Sequence, residues 1–171
     1  MRFIPVDCKK YIVRLAVVFG LVFTPAIFAQ GYTIAPAPSW VKPAHIPTGE
    51  KLKQQNNSNG EAFLLIDFQW QVNEGQQSQY RHIVTKALNT TGVAEVSQIS
   101  IDFDPIYETL VLHTVNIQRN GQIIDRIDRT QINLIQREED LDYQIYDGSR
   151  TLNMFIDDIR TGDIVEYSYT I

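Results

Sequence analysis

Alternating apolar and polar residues dominate the chain from Glu61 onward and predict β-strands. Between Glu61 and Asn73 the apolar side chains form a row, with Phe63 and Leu65 as exceptions to the alternation. This period of two is typical of a strand with one buried face, so we expect the row to be buried. The row consists of Ala62, Leu64, Ile66, Phe68, Trp70 and Val72.

Shorter segments with the same pattern follow, separated by turn residues. Asn120-Gly121 between two such segments is a strong hairpin signal, because both central residues need a positive φ. Asn89 to Gly92 also reads as a turn, and no segment has a sustained helical period. The pattern predicts an all-β fold, a β-sandwich of about eight strands. The further predicted strands are 79–88, 99–103, 107–118, 122–127, 131–136, 151–156 and 164–171.

The segment Gly162–Ile171 (GDIVEYSYTI) is the strongest strand signal in the chain. Its apolar row, Val165, Tyr167, Tyr169 and Ile171, requires neighbouring strands or a covered edge. Because the sequence stops there without a turn, we expect an open edge at this strand and a domain that is incomplete at its C-terminus.

The first residues have the order of a signal peptide. Lys9, Lys10 and Arg14 precede an apolar run, and small residues lead to Ala29. This order predicts cleavage after residue 29 and an exported protein, periplasmic or secreted. The alternative is a retained membrane anchor, which the short run and Pro25 disfavour. Cys8 precedes the apolar run, which argues against a lipoprotein.

We divide the chain into a signal peptide (1–29), a Pro-rich arm with a polar loop (30–60) and a β-sandwich domain (61–171). The prolines of the arm favour extended backbone. Trp40 lies within it. Packing against the domain is the favoured interpretation of this side chain, and stacking on a ligand is the alternative.

Composition excludes several classes of function. Formal net charge is -5, and no basic run exists that would attract a phosphate backbone, so nucleic-acid binding is disfavoured. The single cysteine, Cys8, lies in the predicted signal peptide, so the mature chain has no disulfide and no thiolate nucleophile.

Histidines and carboxylates are the remaining candidates for chemistry. His82 and His113 lie in predicted strands without an obvious nucleophile, and a structural hydrogen bond is the favoured role for each. Asp157, Asp158, Asp163 and Glu166 could form a paired-carboxylate site. We favour instead a role for Asp163 in capping backbone amides of its turn.

Two other groups have similar alternatives. The acidic run Glu138, Glu139, Asp140 and Asp142 fits no metal-ligand spacing and is interpreted as a solvated loop. Tyr167 and Tyr169 could form a ligand platform, but core or inter-domain packing is favoured. We therefore assign no catalytic, cofactor-binding or metal-binding residue, and expect no cofactor and no enzymatic activity.

Several segments resemble the β-rich domain that precedes the transglutaminase-like domain of many bacterial exported proteins. The most specific are REEDLDYQIYDG (137–148) and GDIVEYSYTI (162–171), with YTIAPAPSWV, DPIYETLVLH and NGQIID in support. The resemblance implies an immunoglobulin-like sandwich followed by a papain-like domain with a Cys-His-Asp triad. No triad position is matched here, and His45, His82 and His113 lie in segments that the family does not use catalytically.

The resemblance implies a non-catalytic accessory domain. Its partner would be a transglutaminase-like domain in cis or in trans, which it docks or to which it presents a protein substrate. The alternative is a stand-alone exported sandwich that binds glycan or peptide. In neither case do we expect nucleic-acid binding or a stable membrane span after signal cleavage.

Overall fold

The computed structural model describes residues 31–46, 59–136 and 148–171. The predicted signal peptide, most of the polar loop and the acidic run Glu138–Asp142 lie outside these ranges. In the described part, nine strands form two sheets and are accompanied by one short helix, which confirms the predicted all-β sandwich. The strands are β1 (Tyr32–Ile34), β2 (Glu61–Asn73), β3 (Gln76–Ala87), β4 (Gln98–Phe103), β5 (Leu110–Arg119), β6 (Gln122–Asp125), β7 (Gln131–Gln136), β8 (Arg150–Phe155) and β9 (Ile164–Thr170), and the helix is α1 (Thr90–Val96).

The two sheets differ in size. The large sheet has the order β1-β5-β9-β3-β2, with β6 pairing to β5, and the small sheet has the order β4-β8-β7. All pairs are antiparallel except β1 with β5. The core lies between the sheets and includes Leu112, Val115 and Val165 from the large one and Ile101 and Met154 from the small one.

The last strand is central, which corrects the expectation of an open edge there. β9 pairs with β5 on one side and with β3 on the other. Gln79 and Ile171 exchange backbone hydrogen bonds of 2.7 and 3.0 Å, so even the final residue is held. Val165 and Tyr169 are buried in the core. In the described part of the large sheet, the outer strands are β1, β6 and β2 instead.

A β-bulge in β5 allows residues on both sides of it to point into the core. The register with β9 shifts between Leu112 and Thr114, so His113 is an extra residue in a β-bulge. Leu110 and Leu112 before the bulge, and Val115 and Ile117 after it, all enter the core. A bulge changes the phase of the alternation, so a strict period of two would place these two pairs on opposite faces.

Helix α1 occupies the segment that we predicted to be a turn. Asn89 is its N-cap and accepts a 2.9 Å hydrogen bond from the Gly92 amide. The helix packs so closely on the start of β2 that a Cβ added to Gly92 would lie 1.8 Å from the Gly60 carbonyl oxygen. The fit is a tertiary contact between segments far apart in sequence.

Two tight hairpin turns fix the registers of the large sheet. Asn120 and Gly121 have φ values of 52° and 78°, which confirms the hairpin predicted from this pair. Glu74 and Gly75 have φ values of 45° and 86° and join β2 to β3 in the same way. β2 and β3 therefore extend up to this two-residue turn.

The Pro-rich arm is held against the outer face of the large sheet, as predicted. Its first residues form β1, and the Nδ1–H of His113 donates to the Ala35 carbonyl at 2.7 Å. Further along, Gln69 accepts from the Lys42 amide at 2.8 Å and donates to the Lys42 carbonyl at 2.7 Å. The arm is therefore tied to the sheet by specific side chains.

We predict that Gly92→Ala destabilises the domain, although alanine is the better helix former by about 1 kcal/mol. The added methyl group would overlap the Gly60 backbone, and overpacking of this kind costs about 1–3 kcal/mol. Urea unfolding measures the change. Thr91→Ala, at an exposed position of the same helix, is the control; a stability of Gly92→Ala at or above that of the wild type would contradict the packing.

We also predict that His113 weakens the fold as the pH falls. Burial lowers the pKa of His113, and its neutral ring donates to Ala35 and accepts from the Thr170 hydroxyl at 2.7 Å. The unfolded chain therefore takes up the proton first, so stability is lost as the pH falls below about 6.5.

Denaturant unfolding between about pH 7 and pH 5 tests this linkage. His113→Gln should remove part of the pH dependence, whereas His45→Gln, at an exposed position of the arm, should leave it unchanged. The same pH dependence in the wild type and in His113→Gln would contradict the assignment.

Candidate functional site

The core face of the large sheet continues onto β2. Phe68 pairs with Arg81 across β2 and β3, and Arg81 pairs with Tyr169 across β3 and β9. Residues that pair directly in antiparallel strands point to the same side of the sheet. Because Tyr169 is in the core, Phe68 and its neighbours at every second position of β2 point to the core side as well.

These residues of β2 are nevertheless exposed, which corrects the prediction of a buried row. The exposed fractions are 48% for Phe63, 54% for Ile66, 51% for Phe68, 56% for Trp70 and 69% for Val72. Of the predicted row, Leu64 is buried, and it stands at a β-bulge between Phe63 and Leu65. We refer to Phe63, Ile66, Phe68, Trp70 and Val72 as the open face.

Arg81 lies beside the centre of the open face. Its guanidinium carbon is 5.5 Å from the ring centre of Phe68 and 5.7 Å from that of Tyr169, within cation–π range. Its Nη1 donates to the Tyr169 hydroxyl at 3.1 Å, and its Nη2 donates to Gln79 at 2.7 Å. Among the described residues no carboxylate lies within salt-bridge distance of it. No pattern in the sequence distinguishes Arg81, because it is one arginine in an irregular strand pattern.

Two clefts border the open face. At one end, a cleft of about 220 Å³ lies between Phe63 of β2, the side chains of Glu61 and Glu95, and the first residues of β4. At the other end, a groove of about 700 Å³ lies beside Trp70, with Tyr107 and Ile171 among its lining residues. The start of β4 therefore lies near one end of the open face, and the end of β9 lies near the other.

The histidines hold structural hydrogen bonds, as predicted. His113 bridges Ala35 and Thr170. His82 lies 2.8 Å from Glu166, and this hydrogen bond lowers the pKa of Glu166 against the opposing effect of burial.

Ser168, the cross-strand neighbour of His82, does not form a nucleophile–base pair with it. Its hydroxyl is buried and lies 2.6 Å from that of Thr114. The hydroxyl and imidazole groups of this face therefore have partners within the fold: His82 has Glu166, His113 has Ala35 and Thr170, and Ser168 has Thr114.

The four carboxylates considered together are not one site. Asp163 is buried, accepts from the Arg160 amide at 2.8 Å as predicted for a turn cap, and receives Arg119 Nη2 at 2.7 Å. Asp158 also binds Arg119, at 3.1 Å, and the Arg119 hydrogen bond lowers the pKa of both carboxyl groups. Glu166 is apart from them, on the strand face that carries His82. The arrangement is an ion-pair network that fixes the turn before β9.

The aromatic candidates belong to the packing of the sandwich. Tyr167 and Tyr169 stack with parallel rings, 6.4 Å between centres, against the core, and burial raises the pKa of Tyr167 to about 12. Trp40 is half-buried at the arm and lines a shallow cleft with Lys42, Gln69 and Trp70. These positions agree with the packing roles that the sequence favoured.

No group of three or more histidine, cysteine, aspartate or glutamate side chains could hold a metal ion in residues 31–46, 59–136 and 148–171. The one helix found there has neither the length nor the hydropathy of a membrane span.

Comparisons with known proteins agree with this architecture. A crystal structure from Parabacteroides distasonis, of a protein described as a "putative protease", matches the fold with a TM-score of 0.58 at 14% identity. The match covers 65% of this chain and 22% of that protein, so this chain spans about a fifth of the protein's length. A comparison with curated proteins finds no match.

The family is shown by the sequence itself. Residues 73–171, more than half of the chain, match the model of a domain of unknown function with a solved structure, DUF3857. The matched range begins at the last residue of β2, so the open face precedes it. It contains β3 to β9 and therefore most of both sheets. The chain belongs to the DUF3857 family.

Proposed function

We propose that this protein is a non-catalytic, exported accessory domain whose open face docks another protein domain. The observation that carries the proposal is the position of the open face. Five large apolar side chains point to the core side of the large sheet, yet each is about half exposed. Contiguous apolar surface of this kind is typical of interaction sites.

The composition of the surface supports a protein partner. Interface centres are enriched in aromatic residues and arginine, and here Phe63, Phe68, Trp70 and Arg81 lie together. Burying the remaining half of one large apolar side chain gains roughly 0.8–1.5 kcal/mol, half of the value for full burial. Five such side chains offer several kilocalories per mole for association, from which the ordering costs of binding must be subtracted.

The family that the sequence resembles suggests what kind of domain the partner is. Domains similar to this one precede a transglutaminase-like domain, and the solved protein with the same fold is much longer than the part that matches. We therefore expect the partner to be a transglutaminase-like domain, in cis or in trans, which brings its own catalytic residues. The order of residues 1–29 supports export, and the mass of the processed chain tests it.

The hydrogen bonding of the polar residues supports a role without catalysis. His113 and His82 are both bound to structural partners, and the Ser168 hydroxyl is buried. Because both rings are engaged by partners within the fold, we interpret them as structural groups and not as general bases.

We predict that Phe68→Ser and Trp70→Ser each weaken binding of a separately expressed transglutaminase-like domain by about thirtyfold, the effect of losing an interface hot spot. Isothermal titration calorimetry measures the affinity. Ile123→Ser is the matched control, because Ile123 is 69% exposed on the opposite face of the same sheet. Thermal melting should show that all three variants remain folded.

Two results would contradict the proposal. The first is an unchanged affinity in both open-face variants. The second is a loss of binding in Tyr107→Ala when both open-face variants still bind normally. That result would place the binding site in the groove beside Trp70 and would favour the alternative of a glycan- or peptide-binding module.

A further inference from the structure

The small sheet has fewer strands than the large one, so it does not reach across the full width of the large sheet. It contains three strands in the described part of the chain, and β4 is its last strand on the side of β3 and β2. The cleft at Phe63 also contains Gln98 and Ile99 of β4 together with Thr85 and Tyr167 of the large sheet. β4 therefore borders the open face, and no described strand pairs with its second edge.

The free edge of β4 is suited to accept another strand. Its residues alternate regularly between exposed and buried, and its pairing with β8 runs from Gln98 to Phe103 without a bulge. It has no proline and no lysine, two residues that often protect an edge, and its one charged side chain, Asp102, accepts a hydrogen bond from Thr151 of β8. Strands in a sheet lie about 4.8 Å apart and packed sheets about 10 Å apart, so one or two added strands would cover the open face.

We infer that the docked partner contributes an extended strand, which pairs with the free edge of β4 and lies across the open face. This inference rests on the proposed function and specifies its geometry. The partner strand would extend the small sheet, and every second side chain would contact the open face. Backbone hydrogen bonds would supply affinity, and the apolar and charged positions would supply specificity.

The charges define the chemistry of that strand. Arg81 beside Phe68 has no carboxylate partner among the described residues, so the strand should present an acidic side chain there. At the α1 end, Glu61 and Glu95 line the same cleft, and burial and the charge of Glu95 raise the pKa of Glu61. A basic side chain at that end would relieve this repulsion. The order of charges thereby fixes the direction of the strand.

A synthetic peptide tests the geometry on the full chain. The probe alternates valine and threonine, with a glutamate at its centre and a lysine at one end. We expect it to slow hydrogen exchange at alternate amides of Gln98–Phe103 by about tenfold or more, as measured by NMR. A peptide with a central proline, which cannot complete the ladder, is the control and should give no protection.

Charge recognition is tested with the same peptide. Arg81→Gln should weaken its binding by about tenfold, the lower end for a buried charge-assisted contact. The variant should have little effect on a peptide that has glutamine in place of the glutamate. Arg160→Gln, at an exposed arginine bound to Asp158, is the matched control. Equal losses for both peptides would overturn the assigned role of Arg81.

Three outcomes would overturn the inference. Protection along the outer edge of β2 would place the strand on the wrong sheet. The second outcome concerns the β4 amides that face away from β8. If they are protected in the free monomeric chain, or become protected only on self-association seen by light scattering, then this chain itself occupies the edge. If Phe68→Ser abolishes binding of the partner domain but that domain leaves the β4 amides unprotected, docking stands and strand addition fails.

Discussion

The pairing of β9 between β5 and β3 is the interaction on which the rest of the structure depends. It joins strands that are far apart in sequence, and it carries Val165 and Tyr169 into the core. The ion pair between Arg119 and Asp163 holds the turn that starts it, and Asp163 is almost completely buried. Breaking one partner of such a pair leaves a buried charge without compensation. β9 is therefore the central strand of the large sheet.

In the described part of the chain the large sheet has six strands and the small sheet three, and the proposed function rests on this difference. The small sheet covers β5 and β9, where the buried core residues are concentrated. β2 continues the same apolar face beyond that cover. Edge strands and exposed apolar surface are usually protected in soluble proteins, and the proposed docking partner would protect the five exposed apolar side chains of β2.

Local signals in the sequence predicted local structure well. Asn120-Gly121 specified a turn with two positive φ values, and Asp163 specified a turn cap, because both depend on a few neighbouring residues. The open face could not be predicted, since an alternating strand reads the same whether its apolar side meets another sheet or solvent. The bulge at His113 and the helix at Thr90–Val96 depend on register and on contact with Gly60, which no periodicity records.

The solvent exposure of Trp70 in the free chain tests the central claim most directly. A Trp40→Phe variant leaves Trp70 as the single tryptophan. The structure predicts a red-shifted emission maximum and efficient quenching by acrylamide, because 56% of this side chain is exposed. A blue-shifted emission that resists quenching in the monomeric chain would show that β2 is already covered, and would contradict the assignment of the open face as a docking surface.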